Sequence, residues 1–183
     1  MTASRLPPKP DFSALEATAL GSADRRTTVL ALIGSLIFNW SNNESLFIYV
    51  LMLLLNTDEA SAALVFATLN TTRARLDLIQ RLARIKIKDQ ALNRELNKII
   101  DRFNDTTQAR NELTHSMYAV DESGEIVRTQ SMRVVQTRAS LAFGETRPVD
   151  KARLNELSET VRVMIRINRD IWELLPKLEA HLR

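Results

Sequence analysis

The chain has no cysteine among its 183 residues and only two histidines, His115 and His181. Disulfides, thiolate zinc sites and cysteine nucleophiles are excluded outright. A zinc site built on two imidazoles would need carboxylates at spacings the sequence does not offer, so no metal and no cofactor is expected. Glycine and proline are also scarce, at four and five residues. With 45% of residues hydrophobic, that scarcity favours long regular elements over loops, and the abundance of Leu, Ala and Arg makes those elements helical. There is no Walker loop, no Gly-rich phosphate cradle, no Ser-His-Asp layout and no zinc-protease helix.

What is present is a core-forming chain with a modest positive charge. Its formal net charge is +3, and 19 of its 25 basic residues are arginine, the side chain better suited to bidentate contact with phosphate or carboxylate. An anionic partner is one reading of this charge, and a set of solvated helix faces is the other. Residues 1–21, with Pro7-Pro8-Lys9-Pro10 and no apolar run of signal-peptide type, read as a flexible tail, and residues 22–183 as a single domain. The stretch from Val29 to Leu55 is mostly apolar. However, Asn39, Ser41, Asn42, Asn43 and Glu44 fall in its middle, where a charge within a bilayer costs roughly 2.5–3.5 kcal/mol. Two apolar runs of about ten residues suit a core or dimer helix better than a membrane span, so a cytoplasmic protein without a membrane is expected.

Helical periodicity marks five segments. The first starts at a cap on Ser22 or Asp24 and reaches about Leu55, with Val29, Ile33, Leu36, Trp40, Phe47, Val50, Leu51 and Leu54 on one stripe. Asn56 with Glu59 suggests a capping box opening a second helix, about Asp58 to Leu69. The third covers about Arg73 to Ile87, with Arg73, Arg81, Arg84 and Lys88 outward. Asp89 caps a fourth, about Gln90 to Met117, whose inward stripe turns polar after Phe103, as in a helix that is exposed or lines a site. Asp150 caps the last, to about Leu178. Between them, Tyr118 to Arg128 reads as a β-hairpin turning at Asp121-Glu122-Ser123-Gly124, which Met132 to Thr137 could extend, followed by turn-rich chain to Pro148. The expected fold is all-α: an up-and-down bundle of about five helices with a small hairpin insert, about 118–149, before the last.

The chemistry concentrates in Arg110-Asn111-Glu112-Leu113-Thr114-His115. Asn111 and His115 lie four apart on one helical face, so the amide can orient the imidazole. Arg110 and His115 are roughly 140° apart on a straight helix and converge only if the helix bends, ends or meets a symmetry mate. An arginine can neutralise a phosphate and a histidine can exchange a proton with a ribose hydroxyl. Trp40 and Trp172 read as core anchors, and His181, two residues from the end, as inert.

In this spacing, late on a long helix of a small helical chain, the sequence resembles the HEPN superfamily. The signature there is an Arg, commonly with a polar neighbour, followed by a His after four to six intervening residues. The resemblance covers roughly Thr27 to Leu178, with only the six-residue motif specific. It implies a homodimer or higher homo-oligomer in which two motifs face each other across a cleft, and a metal-independent endoribonuclease with RNA as substrate. Arg110 would hold the scissile phosphate, His115 would act as acid or base and Asn111 would position it. Members include toxins and antiphage effectors, with an antitoxin or regulator as partner, and also non-catalytic binding or assembly modules. Family members often add an acidic residue from an early helix to the cleft, and Glu44 is the candidate, with Arg110 as its partner. The other reading of Glu44 is a solvated residue after a helix break at Ser41-Asn42-Asn43.

Overall fold

The computed structural model describes residues 25–122, 124–132, 134–136 and 140–183. The stretch read as a tail and the caps proposed at Ser22 and Asp24 lie outside them. The described residues are mostly helical: α1 Arg25–Leu55, α2 Glu59–Thr68, α3 Thr72–Lys86, α4 Gln90–Thr114 and α5 Lys151–Leu182, with short strands between α4 and α5.

Four of the helix starts have side-chain caps. Asp58, Thr71, Asp89 and Asp150 each accept a hydrogen bond from a backbone N–H two or three residues on, satisfying donors that a helix start leaves without partners. The capping box expected at Asn56 and Glu59 does not form. Asn56 instead takes a left-handed backbone with φ 51° and ends α1, its N–H and that of Thr57 donating to the carbonyls of Leu53 and Met52. Asparagine tolerates that conformation, and the paired bonds satisfy the last carbonyls of α1.

From Leu46 on, α1 has no exposed residue, and Phe47, Val50, Leu51, Met52, Leu53 and Leu54 are buried. Among the described residues no single helix is long and apolar enough to cross a membrane; α1 and α2 meet that test only together, bent by 115°. The polar residues in the middle of α1 do not break it. Asn43 is fully buried, donates to the Met164 carbonyl at 2.9 Å and accepts from Asn168 Nδ2 at 2.8 Å, while Asn39 donates to the Ser35 carbonyl. Phe103 of α4 closes this core, 5.5 Å from the stacked Trp40 ring and 5.3 Å from Phe47. His181 Nε2 accepts the Lys88 backbone N–H at 3.2 Å, joining the end of α5 to the α3–α4 turn.

The strand region differs from the hairpin read in the sequence. β1 (Ser116–Val120) starts two residues earlier, so α4 stops at Thr114 rather than at about Met117. It pairs antiparallel with β2 (Ile126–Ser131), turning through Gly124 at φ 81°. The far edge of β2 pairs with β5 (Thr146–Pro148), drawn from chain read as turn-rich, to give a three-stranded sheet. Proline lacks a donor but is tolerated on an edge strand, which hid β5 in the sequence. β3 (Val134–Gln136) pairs with β4 (Leu141–Phe143) in a separate ribbon rather than extending the first hairpin.

Candidate functional site at the end of the fourth helix

The helix ends inside the motif. His115 is the C-cap of α4, with φ −119° and ψ 33°, its N–H donating to the Asn111 carbonyl and its own carbonyl accepting from Met132 N–H at 2.9 Å. Its exposed imidazole makes no hydrogen bond among the described residues. The ring lines a cleft of about 1000 Å³ together with Asn111, Asp105, Glu112, Glu145 and Arg147. A second hollow of about 410 Å³ adjoins it along α4, sharing Asp105, Gln108, Glu112 and Arg147.

Arg110 lies elsewhere. Its guanidinium carbon sits 4.4 Å over the Trp40 ring, a cation–π contact. Nη1 donates to Asn111 Oδ1 at 2.8 Å, and the buried Nε has no hydrogen-bond partner. Trp40 is itself fixed, its Nε1 donating to Thr107 Oγ1 at 3.3 Å. Within one chain, therefore, His115 and Asn111 share the cleft while Arg110 is turned toward α1. The Asn111 side chain engages Arg110, not His115, because at the helix end the imidazole has left the helical face that the four-residue spacing assumes.

Glu44 does not join the motif. Its Oε1 accepts from Thr72 Oγ1 at 2.6 Å and from Arg75 Nη1 at 2.9 Å. Because α1 runs unbroken, Glu44 lies one turn beyond Trp40, toward the start of α3, and Arg75 reaches it there while Arg110 stops at the indole. Arg75 also donates to the carbonyls of Phe66 and Leu69, so this pair joins α1, α2 and α3. Glu44 thus pairs with Arg75 rather than with Arg110, and the helix is continuous through Ser41-Asn42-Asn43.

The ion-pair centre of the region is Glu112, inside the motif but assigned no role from the sequence. Its carboxylate accepts from Arg153 at 2.6 Å and from Arg147 at 3.3 Å, and Glu156 accepts from Arg147 at 3.5 Å and forms an ion pair with Arg153 at 2.8 Å. Arg153 is only 5% exposed. Burial opposes the charge on Arg147, but Glu112 and Glu156 outweigh it and raise its pKa. Tyr118 donates to the Leu113 carbonyl at 2.6 Å, and burial, then the Glu112 charge, push its phenol pKa up. The i,i+3 spacing of Arg153 and Glu156 was the one sequence signal for this network, and it reads equally well as a surface pair.

Among the described residues no group of three or more His, Asp or Glu side chains is placed to hold a metal ion. No family model, no curated protein and no solved structure matches the chain.

Proposed function

We propose that the chain is a metal-independent endoribonuclease of HEPN type, built on an up-and-down helical bundle with the strand region inserted before its last helix and active as a homodimer. The observation that carries this reading is the end of α4. An unengaged imidazole, His115, opens on a cleft at the helix terminus, one turn from an arginine that a tryptophan face and Asn111 hold in place.

A histidine without a hydrogen-bond partner can take a proton from a ribose 2′-hydroxyl and return one to the leaving oxygen. Arg110 retains donors for a phosphate. Since Arg110 and His115 do not line one cleft in a single chain, the reaction needs a second copy, and a twofold pairing beside α4 supplies the Arg110 of one copy to the His115 of the other. Exposed Leu30, Ile37 and Phe38 on α1 give such a pairing apolar side chains to cover. In this reading the protein acts in the cytoplasm as a growth-arresting or antiphage effector, restrained by an antitoxin or regulator.

The specific observation favouring a second reading, a non-catalytic binding or assembly module, is that Asp105 and Glu145 line the cleft beside an Arg147 already engaged by Glu112 and Glu156, a lining that does not favour phosphate. One experiment separates the two. Purified protein is incubated with mixed RNA in EDTA beside Arg110→Ala/His115→Ala. The nuclease reading expects cleavage with cyclic-phosphate ends by the wild type, reduced at least 100-fold in the variant with an unchanged melting temperature. An intact dimer that leaves RNA uncut in both forms selects the binding module.

A further inference from the structure

The antiparallel hairpin of α3 and α4 concentrates positive charge at the end remote from the motif. Between Arg73 and Lys98 there are eight cationic side chains and three anionic ones, an excess of five where the whole chain has a net +3. All three anions are engaged: Asp77 lies 3.9 Å from Arg73, Asp89 caps α4 and Glu95 is 2.7 Å from Lys177. Arg81, Arg84, Lys86, Lys88, Arg94 and Lys98 are exposed and make no side-chain ion pair among the described residues.

Their positions form a single surface. Gln80 and Asn97 face each other across the hairpin, hydrogen-bonded at 2.9 Å. Leu76, Ile79 and Ala83 of α3 and Leu92, Leu96 and Ile99 of α4 turn to the core. Arg81 and Arg84 follow the i,i+3 spacing of one face of α3, with Lys88 just past its end, and Arg94 and Lys98 the i,i+4 spacing of one face of α4. Given right-handed helices running antiparallel, both stripes fall on the side away from the core.

Helix stability does not account for them. Arg84 and Lys86 suit the last turn of α3, but Arg94 and Lys98 lie in the first half of α4, where the helix dipole offers cations nothing. A membrane-surface helix would alternate such charges with a broad apolar face, whereas Ile85 is the only exposed large hydrophobic residue beside them.

We infer that this face is a polyanion-binding exosite that anchors the backbone of an RNA strand through its phosphates. It rests on the RNA reading above for the identity of the strand, and on the charge distribution alone for the site. Lys98 and His115 are 17 residues apart on α4, roughly 25 Å along the axis at the usual rise. Asp101 and Asp105 separate the patch from the cleft, so it holds the strand independently of the chemistry. Short RNAs confined to the cleft gain nothing from it, and long ones bind more tightly.

The test is fluorescence anisotropy with a labelled single-stranded homopolymer RNA across a salt series, on the wild type and on R84A/R94A/K98A. These three positions are exposed, and circular dichroism melting controls for folding. The expected result is at least tenfold weaker binding by the variant at low salt. The slope of log affinity against log salt should also become shallower by about 2, three phosphate contacts at roughly 0.7 each. Equal affinity and slope in the two proteins would overturn the exosite, even if the wild type cleaves RNA. Patch-dependent binding by a wild type that leaves RNA uncut would support the exosite and remove the nuclease. Patch-dependent binding to phosphatidylserine vesicles without binding to the homopolymer would overturn it in favour of a lipid surface.

Discussion

The helical bundle and the strand region that joins α4 to α5 cohere by different means. In the bundle, Phe103, Phe47, Leu51, Ile79 and Leu96 are completely buried, and burying a side chain of that size contributes roughly 1.5–3 kcal/mol. The strands bury little. Their apolar cluster is Val29, Ile126 and Val149, with Ile33 and Leu154 packed against it, while Met117, Val120, Met132, Val134 and Leu141 remain exposed. Beyond that small apolar contact, what ties the sheet to the helices is polar: Glu112, Arg147, Arg153 and Glu156, together with Arg25 donating from the start of α1 to the Val149 carbonyl. Apolar burial holds anything that fits, whereas an ion-pair network holds only while each member is present. The motif lies at the seam between the two, with its Arg110 on the bundle and its His115 on the first residue before β1.

The comparison can be broken most directly in the core. Phe103→Ala should destabilise the fold by about 3–5 kcal/mol, the usual range for removing a buried aromatic ring. Chemical denaturation followed by helical circular dichroism and by hydrogen exchange in the strands should report a single loss. If the strands keep their protection while the helices melt, they are more independent than their packing allows.

Arg153→Ala sharpens the contrast. Removing a buried guanidinium leaves Glu112 and Glu156 with only the more exposed Arg147 between them. Glu112 is a quarter exposed at its side chain and is partly relieved by water, so the expected loss is about 2 kcal/mol rather than the 3–5 of a fully buried pair. Exchange should accelerate in residues 116–148 while α1 and α3 keep their protection. Uniform acceleration would mean that the network serves the bundle as a whole.

The smallest effect concerns acid. Hydrogen bonds from the Ser61 hydroxyl and N–H hold Asp58 below its ordinary pKa, and those from Arg166 and Arg162 do the same for Glu159. A depressed folded-state value contributes stability that is complete above the unfolded carboxylate pKa, about 4, and is lost as pH falls through the folded value. Stability should therefore decline below about pH 4. Asp58→Asn, which can still cap α2, should flatten part of that decline while leaving neutral-pH stability nearly unchanged. An identical acid limb in the variant would remove Asp58 from the account.

How much could be read beforehand follows the same division. Helices are encoded locally, in the 3.6-residue spacing of apolar side chains and in caps such as Asp89 and Asp150, so their number and approximate limits were legible. Asn56 misled because asparagine serves both to start and to end a helix, and only the backbone angle distinguishes the two. Edge strand β5 ends in proline and is three residues long, too short to show alternation. The motif could be located, but its geometry could not. Whether Arg110 meets His115, or Glu44 meets Arg110, depends on where α4 stops and how α1 lies against it, and neither is a property of six consecutive residues. Glu112 stayed hidden because its partners Arg147 and Arg153 are 35 and 41 residues away.

The buried amides of Asn43 and Asn168 set the alignment of the two longest helices. An apolar seam between α1 and α5 is forgiving along its length, since one leucine can replace another a turn away. Two mutually bonded amides are not forgiving. A slip of one turn would leave both in hydrocarbon without partners, at roughly 1–3 kcal/mol for each unsatisfied group. They act as a detent, a single notch in an otherwise smooth slide. Because Trp40 lies one turn before Asn43 on α1, the same notch determines how far along α4 the indole sits, and therefore which residue of that helix comes to rest on it.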